Sequence, residues 1–140
     1  MLEALYHDEI IRLSQKCKSR KRLENPDSTY RADNPICGDK VIIDLKLNKH
    51  EILKIGLEVR GCALCEASSE IIAREASGLM PAELLAIENN ALRFLTGLDT
   101  SLEWDLLSVF RPVKLAKSRH ECVLLPFKAI NGAIKLDLER

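Results

Sequence analysis

Two runs of alternating apolar and polar residues lie in the middle of the chain, between positions 40 and 60. Such period-two alternation is typical of strands with one buried face. The polar stretch 48–51 between the runs indicates a turn, so the sequence predicts an antiparallel hairpin of strands 40–47 and 52–60. The apolar positions are Val41, Ile43, Leu45 and Leu47 in the first strand and Leu53, Ile55, Leu57 and Val59 in the second.

The pairing of these two strands also predicts which polar residues meet. Cross-strand partners point to the same face of a sheet. If the two apolar sets share a face, the numbers of paired residues must sum to 98 or 100. Extended past the open end of the hairpin, this register places Cys37 opposite Gly61 or Ala63, next to Cys62 and with Asp39 beside them. The sequence therefore predicts a cluster of Cys37, Asp39 and Cys62.

Helical periodicity flanks the hairpin on both sides. An amphipathic stripe predicts a helix over 2–15, a second apolar stripe predicts a helix over 63–77, and a third predicts a final helix from about Cys122 to Leu138. The stripe residues are Leu2, Tyr6, Ile10 and Leu13 in the first helix, Leu64, Ala67, Ile71 and Ile72 in the second, and Phe127, Ile130, Ile134 and Leu138 in the last.

The remaining segments carry weaker signals. Prolines, asparagines and aspartates over 24–35 predict a loop with a short edge strand at 28–30. The stretch 81–107 is helical but broken at Asn89-Asn90, and a capping box at 100–103 would open another helical piece. Pro112 and four basic residues predict an exposed loop over 108–119.

Together these elements predict an α+β fold. A small antiparallel sheet, made of the hairpin 40–47/52–60 and the short edge strand, would be covered by several α-helices. We expect a single domain over 1–140, long enough to bury about two-thirds of its unfolded surface. Aromatic residues make up only 4% of the chain, so leucine, isoleucine, valine and alanine must fill the core.

Composition narrows the function classes. Lysine plus arginine and aspartate plus glutamate both number 21, so no net charge draws the protein to nucleic acid or to a membrane surface. No apolar run approaches the roughly 20 residues that span a bilayer. The N-terminal residues do not form a signal-peptide pattern, which favours a cytoplasmic location. Five cysteines in such a chain point to metal binding or thiol chemistry rather than a disulfide framework.

The positions of the cysteines support this chemistry. Cys62 directly precedes a predicted helix and Cys122 opens another, and helix N-termini favour the thiolate form. With Cys37 and Asp39, these residues suit a tetrahedral zinc site or an iron–sulfur cluster. Cys62 and Cys65 also form a CxxC, which is compatible with half a zinc knuckle or with a redox pair.

The other candidates have simpler interpretations. We expect Cys65 to be a buried core residue and Cys17 to be a bystander thiol in a basic cluster at the end of the first helix. His120 is either a surface histidine or an alternative metal ligand.

Three segments carry a family resemblance. Asn34-Pro-Ile-Cys37-Gly-Asp39, Gly61-Cys62-Ala-Leu-Cys-Glu-Ala-Ser68 and Arg119-His-Glu-Cys122-Val-Leu-Leu-Pro-Phe127 resemble the signature segments of the IscU/SufU/NifU N-terminal family of iron–sulfur cluster assembly proteins. The resemblance extends over nearly the whole chain. It implies a small antiparallel sheet with packed helices, and it implies that Cys37, Asp39, Cys62 and Cys122 surround one exposed metal site.

Two details resemble the SufU-type branch of that family. The interval between Cys62 and Cys122 is long, and Glu121 stands where IscU-type scaffolds carry a histidine. SufU-type proteins bind zinc and accept sulfur from a pyridoxal-phosphate cysteine desulfurase of the SufS type. IscU-type proteins instead assemble a [2Fe–2S] cluster, so this alternative stays open, as does a structural zinc domain that serves only as an interaction module.

The resemblance also assigns roles and partners. We expect Cys37 to accept sulfur, because its turn is the most mobile of the ligand positions. Arg119 is a candidate contact for the desulfurase. Apo iron–sulfur proteins or other SUF components would receive the sulfur or the cluster.

Overall fold

The computed structural model describes residues 7–140 and has helices packed on a small sheet. Its α-helices and strands are α1 (Asp8–Lys18), β1 (Ser28–Asp33), β2 (Lys40–Asn48), β3 (Glu51–Arg60), α2 (Ala63–Glu75), α3 (Pro81–Leu95) and α4 (His120–Leu138). Two 3-10 helices, Asp105–Leu115 and Lys117–Arg119, separate α3 from α4. The strands form one antiparallel sheet in the order β1–β2–β3. The predicted α+β class is therefore confirmed, while Leu2 and Tyr6 of the first predicted helix lie outside the described residues.

The register of the hairpin follows the prediction except near its turn. Paired residue numbers sum to 100 over most of its length, as in Val41 opposite Val59. A bulge directly before Leu47 shifts the pairing, so that Leu47 lies opposite Ile52. The inward position therefore belongs to Ile52, which is 1% exposed, and the prediction for Leu53 was wrong because that residue is 46% exposed.

The hairpin turn consists of Lys49 and His50, both with positive φ, at 50° and 72°. Two consecutive positive φ angles are the requirement of the tight turn that matches the twist of antiparallel strands. Non-glycine residues adopt this conformation at a steric cost, because the Cβ atom crowds the backbone. The His50 ring compensates, because its Nδ1 lies 2.7 Å from Asp137 Oδ2 and so ties the turn to the end of α4.

One face of the sheet carries the core. The inward residues of β2 pack with the buried faces of the helices. The fully buried members of this core include Val41, Ile43, Leu45, Leu64, Ile71, Ile72, Phe127 and Ile130. Helix α4 lies close against β1: Ser28 Oγ donates to the Ala133 carbonyl at 2.6 Å, and a Cβ on Gly132 would approach the Tyr30 ring to 2.6 Å. Within residues 7–140 no helix is both long and apolar enough to cross a membrane.

The segment after α1 crosses the other face of the sheet over Gly56, where a Cβ would meet the Leu23 backbone nitrogen at 2.5 Å. Asp44 lies beneath this segment with its side chain fully buried. Its carboxylate accepts two hydrogen bonds from Arg22, at 2.7 and 3.1 Å, one from the Leu23 N–H and one from the Thr29 hydroxyl. Burial raises the pKa of Asp44, but these hydrogen bonds outweigh it and the pKa is lowered.

Helix α3 corrects the prediction for the middle of the chain. It runs unbroken through Asn89 and Asn90. The Asn90 amide donates to the Ser101 carbonyl at 3.1 Å and accepts from the Glu103 N–H at 2.9 Å, so it organises the next loop from within the helix. The predicted capping box at 100–103 was wrong, because the Glu103 N–H donates to Asn90 instead, and the next helical piece begins only at Asp105, as a 3-10 helix.

The segment 108–119 is also not an exposed loop. It is mostly 3-10 helix, and it buries Phe110 and Val113. Two of its four basic residues pack against the protein: Arg111 and Lys114 lie over the Phe94 ring, at 5.6 and 4.8 Å from the ring centre. Long cationic side chains can cover apolar surface in this way. The prediction of an exposed loop was wrong because it took these charges as a sign that the whole segment faces solvent.

Candidate metal and thiol site

Cys37 lies in a tight turn between β1 and β2. The Asn34 N–H donates to the Asp39 carbonyl at 2.9 Å, and the Gly38 N–H donates to the Asn34 carbonyl at 2.8 Å. Gly38 has a φ of +79°, a conformation that glycine adopts without steric cost. The turn leaves Cys37 exposed to solvent while the Asp39 side chain points inward, with that residue only 6% exposed.

The other two cysteines are held at helix starts. Cys62 is the N-cap residue of α2 and is half-buried, and Cys122 lies in the first turn of α4 and is 2% exposed. The N-terminal turns of both helices direct N–H groups and partial positive charge toward this region. A helix start by itself favours the thiolate, and its effect on each of these two thiols adds to the effects of burial and of neighbouring groups.

The four residues predicted from sequence come together in space. Cys37 Sγ, a carboxylate oxygen of Asp39 and Cys122 Sγ all lie within 4.8 Å of one another. Cys62 joins this group through Asp39, because its Sγ is 3.8 Å from Asp39 Oδ2. We call these four residues the cysteine cluster.

The pKa values of the Cys62 and Cys122 thiols are shifted in opposite directions. A hydrogen bond from the Cys122 thiol is the main cause that lowers the pKa of Cys62, to about 7. Burial acts in the opposite direction, and hydrogen bonds from the Cys65 and Leu64 N–H groups lower this pKa further. That same hydrogen bond, together with burial, raises the pKa of Cys122 far above its usual value. Of the two thiols, Cys62 is therefore the one that loses its proton more readily.

Gly61 is a further site residue that the sequence did not single out. A Cβ at this position would lie 2.9 Å from Asp39 Cγ and 3.2 Å from the Cys65 Cβ. Only glycine lets the carboxylate pack this closely beside the end of β3. Gly61 directly precedes Cys62 in the sequence, which could have indicated a role in the site. A glycine at the end of a strand is, however, equally typical of an ordinary turn.

The remaining candidates lie outside the cysteine cluster or at its margin. Cys65 is fully buried, and burial is the main cause that raises its pKa. Cys17 is buried between α1 and α2, where burial and then the charges of Glu66 and Glu70 raise its pKa to about 12. Both thiols are therefore unreactive in the folded protein, which argues against a CxxC redox pair.

The two polar candidates next to Cys122 have different surroundings. The His120 Nε2 lies 3.0 Å from the Val113 carbonyl oxygen and 3.2 Å from that of Lys114, so this ring is directed to the 3-10 helix. Arg119 is half-buried and lies three positions before Cys122.

The donor set of the cysteine cluster fits a soft or borderline metal. Zinc and iron–sulfur clusters are both held by cysteine thiolates, and a carboxylate can complete a tetrahedral zinc site. The Cys37 thiol, the Cys122 thiol and the Asp39 carboxylate lie within 4.8 Å of one another, and the Cys62 thiol lies 3.8 Å from Asp39 Oδ2. The three thiols are thus near enough to Asp39 to suit a single ion.

Comparison with known proteins identifies the family. Residues 5–136 match the sequence model of the NifU-like N-terminal domain, and the chain belongs to this family. The resemblance stated from the three motifs is thereby confirmed.

Solved structures share the fold over nearly the full length. A NifU-like N-terminal protein from Brucella abortus superposes with a TM-score of 0.92 at 28% identity, covering 99% of this chain and 98% of its own. A protein from Fervidobacterium islandicum, named as an iron–sulfur cluster assembly scaffold for the SUF system, gives a TM-score of 0.84 at 25% identity, covering 94% and 98%.

Sequence relatives carry related names. Two iron–sulfur cluster assembly scaffold proteins named IscU from Archaeoglobus fulgidus are each 28% identical over 88 residues, which are 63% of this chain and 58% of their own length. The matched region thus spans less than two-thirds of these relatives. The IscU scaffold protein of Thermotoga maritima is 22% identical over 137 residues and 96% of both chains.

Proposed function

We propose that this protein serves iron–sulfur cluster assembly as a zinc-dependent sulfurtransferase, which accepts persulfide sulfur from a cysteine desulfurase of the SufS type. The observation that carries this proposal is the unequal exposure within the cysteine cluster. Cys37 is open to solvent, whereas Asp39 and Cys122 are buried within 4.8 Å of it. An acceptor thiol must be accessible to a second protein, whereas residues that only retain a metal ion can be buried.

The transfer needs no further reagent. The Cys37 thiolate attacks the outer sulfur of the desulfurase persulfide, forms a new S–S bond and breaks the old one. The desulfurase cysteine leaves as a thiolate, and Cys37 now carries the sulfane sulfur as its own persulfide. Cys37 suits this attack because the short turn around Gly38 can move it outward without disturbing a helix or strand.

The other cluster residues suit a retaining role. Cys37, Asp39, Cys62 and Cys122 would hold the zinc ion at rest, and Asp39, Cys62 and Cys122 would keep it while Cys37 reacts. Bound zinc would supply positive charge that keeps coordinated thiols deprotonated at neutral pH. Gly61 gives Asp39 room, and the starts of α2 and α4 fix Cys62 and Cys122.

We further propose that Arg119 contacts the desulfurase. It lies at the start of α4, one turn from Cys122, and so on the side of the molecule where the donor persulfide must arrive. The reaction would take place in the cytoplasm, and apo iron–sulfur proteins or other SUF components would receive the sulfur.

A coupled assay tests this function. The purified protein is analysed for zinc, and the turnover of a SufS-type desulfurase is measured by alanine formation with and without it. We expect about one zinc ion per chain and a several-fold faster turnover, because the acceptor removes the persulfide from the desulfurase. A protein that carries no zinc and leaves turnover unchanged would refute the proposal.

A second candidate is a scaffold on which a [2Fe–2S] cluster is assembled before transfer. The names of the Archaeoglobus and Thermotoga relatives favour it, since these proteins are called scaffolds. The same thiols would then hold the cluster as cargo. Anaerobic reconstitution with iron and sulfide distinguishes the two: a brown, oxygen-sensitive product supports the scaffold, and a colourless product counts against it.

A further inference from the structure

Cys122 lies in a helical turn that lacks one of its own hydrogen bonds. In a regular α-helix the carbonyl of Cys122 would accept a hydrogen bond from the N–H of residue 126. That residue is Pro126, which has no N–H and lies inside α4. The first turn of α4 is therefore less well fixed by the helix itself than an ordinary turn, although it carries a residue of the cysteine cluster.

Helix α2 supplies an external contact at this turn. Ser68 is fully buried and donates its hydroxyl to the Val123 carbonyl at 2.6 Å. A serine within a helix commonly turns back to a carbonyl of its own preceding turn. Ser68 instead reaches across to α4, to the residue that directly follows Cys122.

The contact joins the two helices that present Cys62 and Cys122. Ser68 lies in α2, which begins directly after Cys62, so the hydrogen bond fixes the start of α4 relative to the start of α2. No covalent link joins these cysteines. The separation of their sulfurs therefore depends on how α2 and α4 pack.

We propose that Ser68 is a positioning residue for the cysteine cluster, acting through the Val123 carbonyl to hold Cys122 at the distance from Cys62 that zinc binding requires. This inference rests on the proposed metal-binding function. Groups that orient metal ligands without touching the metal typically change metal affinity 10–100-fold when removed. Ser68 does so by holding the backbone of the turn rather than a ligand side chain.

The test compares Ser68→Ala with a matched control, Ser14→Ala. Ser14 is also buried, at 3% exposure, and its hydroxyl also makes one short hydrogen bond, 2.8 Å to Glu66 Oε1. That bond joins α1 to α2 and does not involve α4. Both changes delete a buried serine hydroxyl and one short hydrogen bond, which Ser68 makes to a carbonyl of α4 and Ser14 to a carboxylate of α2.

Zinc affinity is measured by competition with a chelator, and the fold is checked by circular dichroism. We expect Ser68→Ala to bind zinc roughly ten-fold more weakly than the wild-type protein, while Ser14→Ala binds it as the wild type does. Wild-type affinity in Ser68→Ala, or equal weakening in both variants, would overturn the proposal, because the hydroxyl would then have no role or only a general structural one.

Amide hydrogen exchange in the metal-free protein gives an independent measurement. Ser68→Ala should speed exchange at Leu124, Leu125 and Phe127 by about five-fold, and Ser14→Ala should leave these amides unchanged. If the wild-type protein binds no zinc, the proposed function fails and this measurement still decides the role of Ser68. Unchanged exchange at the three amides in Ser68→Ala would then refute it.

Discussion

Replacing Cys37 with serine is expected to abolish sulfur acceptance while the fold is retained. Cys37 is exposed in a turn and contributes nothing to the buried core, so its loss should leave the free energy of unfolding of the metal-free protein nearly unchanged. A serine hydroxyl is not ionised at neutral pH and cannot carry a persulfide. We expect transfer of radiolabelled sulfur from a desulfurase loaded with labelled cysteine to fall by at least about 100-fold.

Cys17→Ala is the matched control for this change. It also removes one thiol, but that thiol is buried between α1 and α2 and has a raised pKa. Label transfer to this variant should equal that to the wild-type protein. Retained label on Cys37→Ser would show that another cysteine is the acceptor. If removing the Cys37 thiol instead unfolds the zinc-bound protein, the site is a structural zinc centre and the chain is an interaction module.

Asp44→Asn is expected to cause a large loss of stability, although Asp44 lies outside the cysteine cluster. The Asp44 carboxylate is fully buried and accepts hydrogen bonds from Arg22, Leu23 and Thr29. An asparagine turns an amide NH₂ toward donors and leaves some of them unpaired. Because the Arg22 side chain is 41% exposed, water recovers part of the loss, and we expect the free energy of unfolding in urea to fall by about 3 kcal/mol.

The same change should show a defined pH dependence. The pKa of Asp44 is lower in the folded than in the unfolded protein, where it is about 3.9. Its charge therefore stabilises the fold above about pH 4, and this contribution is lost as the pH falls through the folded-state pKa. The stability difference between wild type and Asp44→Asn should be constant from pH 5 to 8 and shrink in more acidic solution.

Asp33→Asn is the control for Asp44→Asn. Asp33 lies on the neighbouring strand and pairs with Arg31 at 3.1 Å, but both side chains are about half exposed. Such a pair contributes less than about 1 kcal/mol. A loss in Asp33→Asn as large as that in Asp44→Asn would show that any carboxylate on this sheet has the same effect, and would contradict the role given to burial.

Much of the site could be predicted because it follows from one register. Once the apolar faces of the hairpin are aligned, Cys37 and Cys62 must meet at its open end, and the structure keeps the pairing sum of 100 there. The bulge before Leu47 escaped prediction because Ile52 and Leu53 are both large and apolar, so either can be the inward residue. It did not disturb the site because it lies at the opposite end of the hairpin.

The position of Cys122 could not be obtained in this way. No local pattern relates α4 to the hairpin, and only the family resemblance placed Cys122 beside Cys37.

The buried carboxylates could not be predicted either, because their burial depends on residues from other parts of the chain. Asp44 and Glu70 look like surface residues in the sequence, and their burial depends on the arginines at positions 20, 22 and 74, two of which lie far from their partners along the chain.

X-ray absorption at the zinc edge of the zinc-loaded protein tests the central claim most directly, because it counts the atoms bound to the ion. Ligation by Cys37, Asp39, Cys62 and Cys122 predicts three sulfurs at about 2.3 Å and one oxygen at about 2.0–2.2 Å. Cys62→Ser should remove one sulfur from that shell. A first shell without sulfur, or one that Cys62→Ser leaves unchanged, would contradict the account.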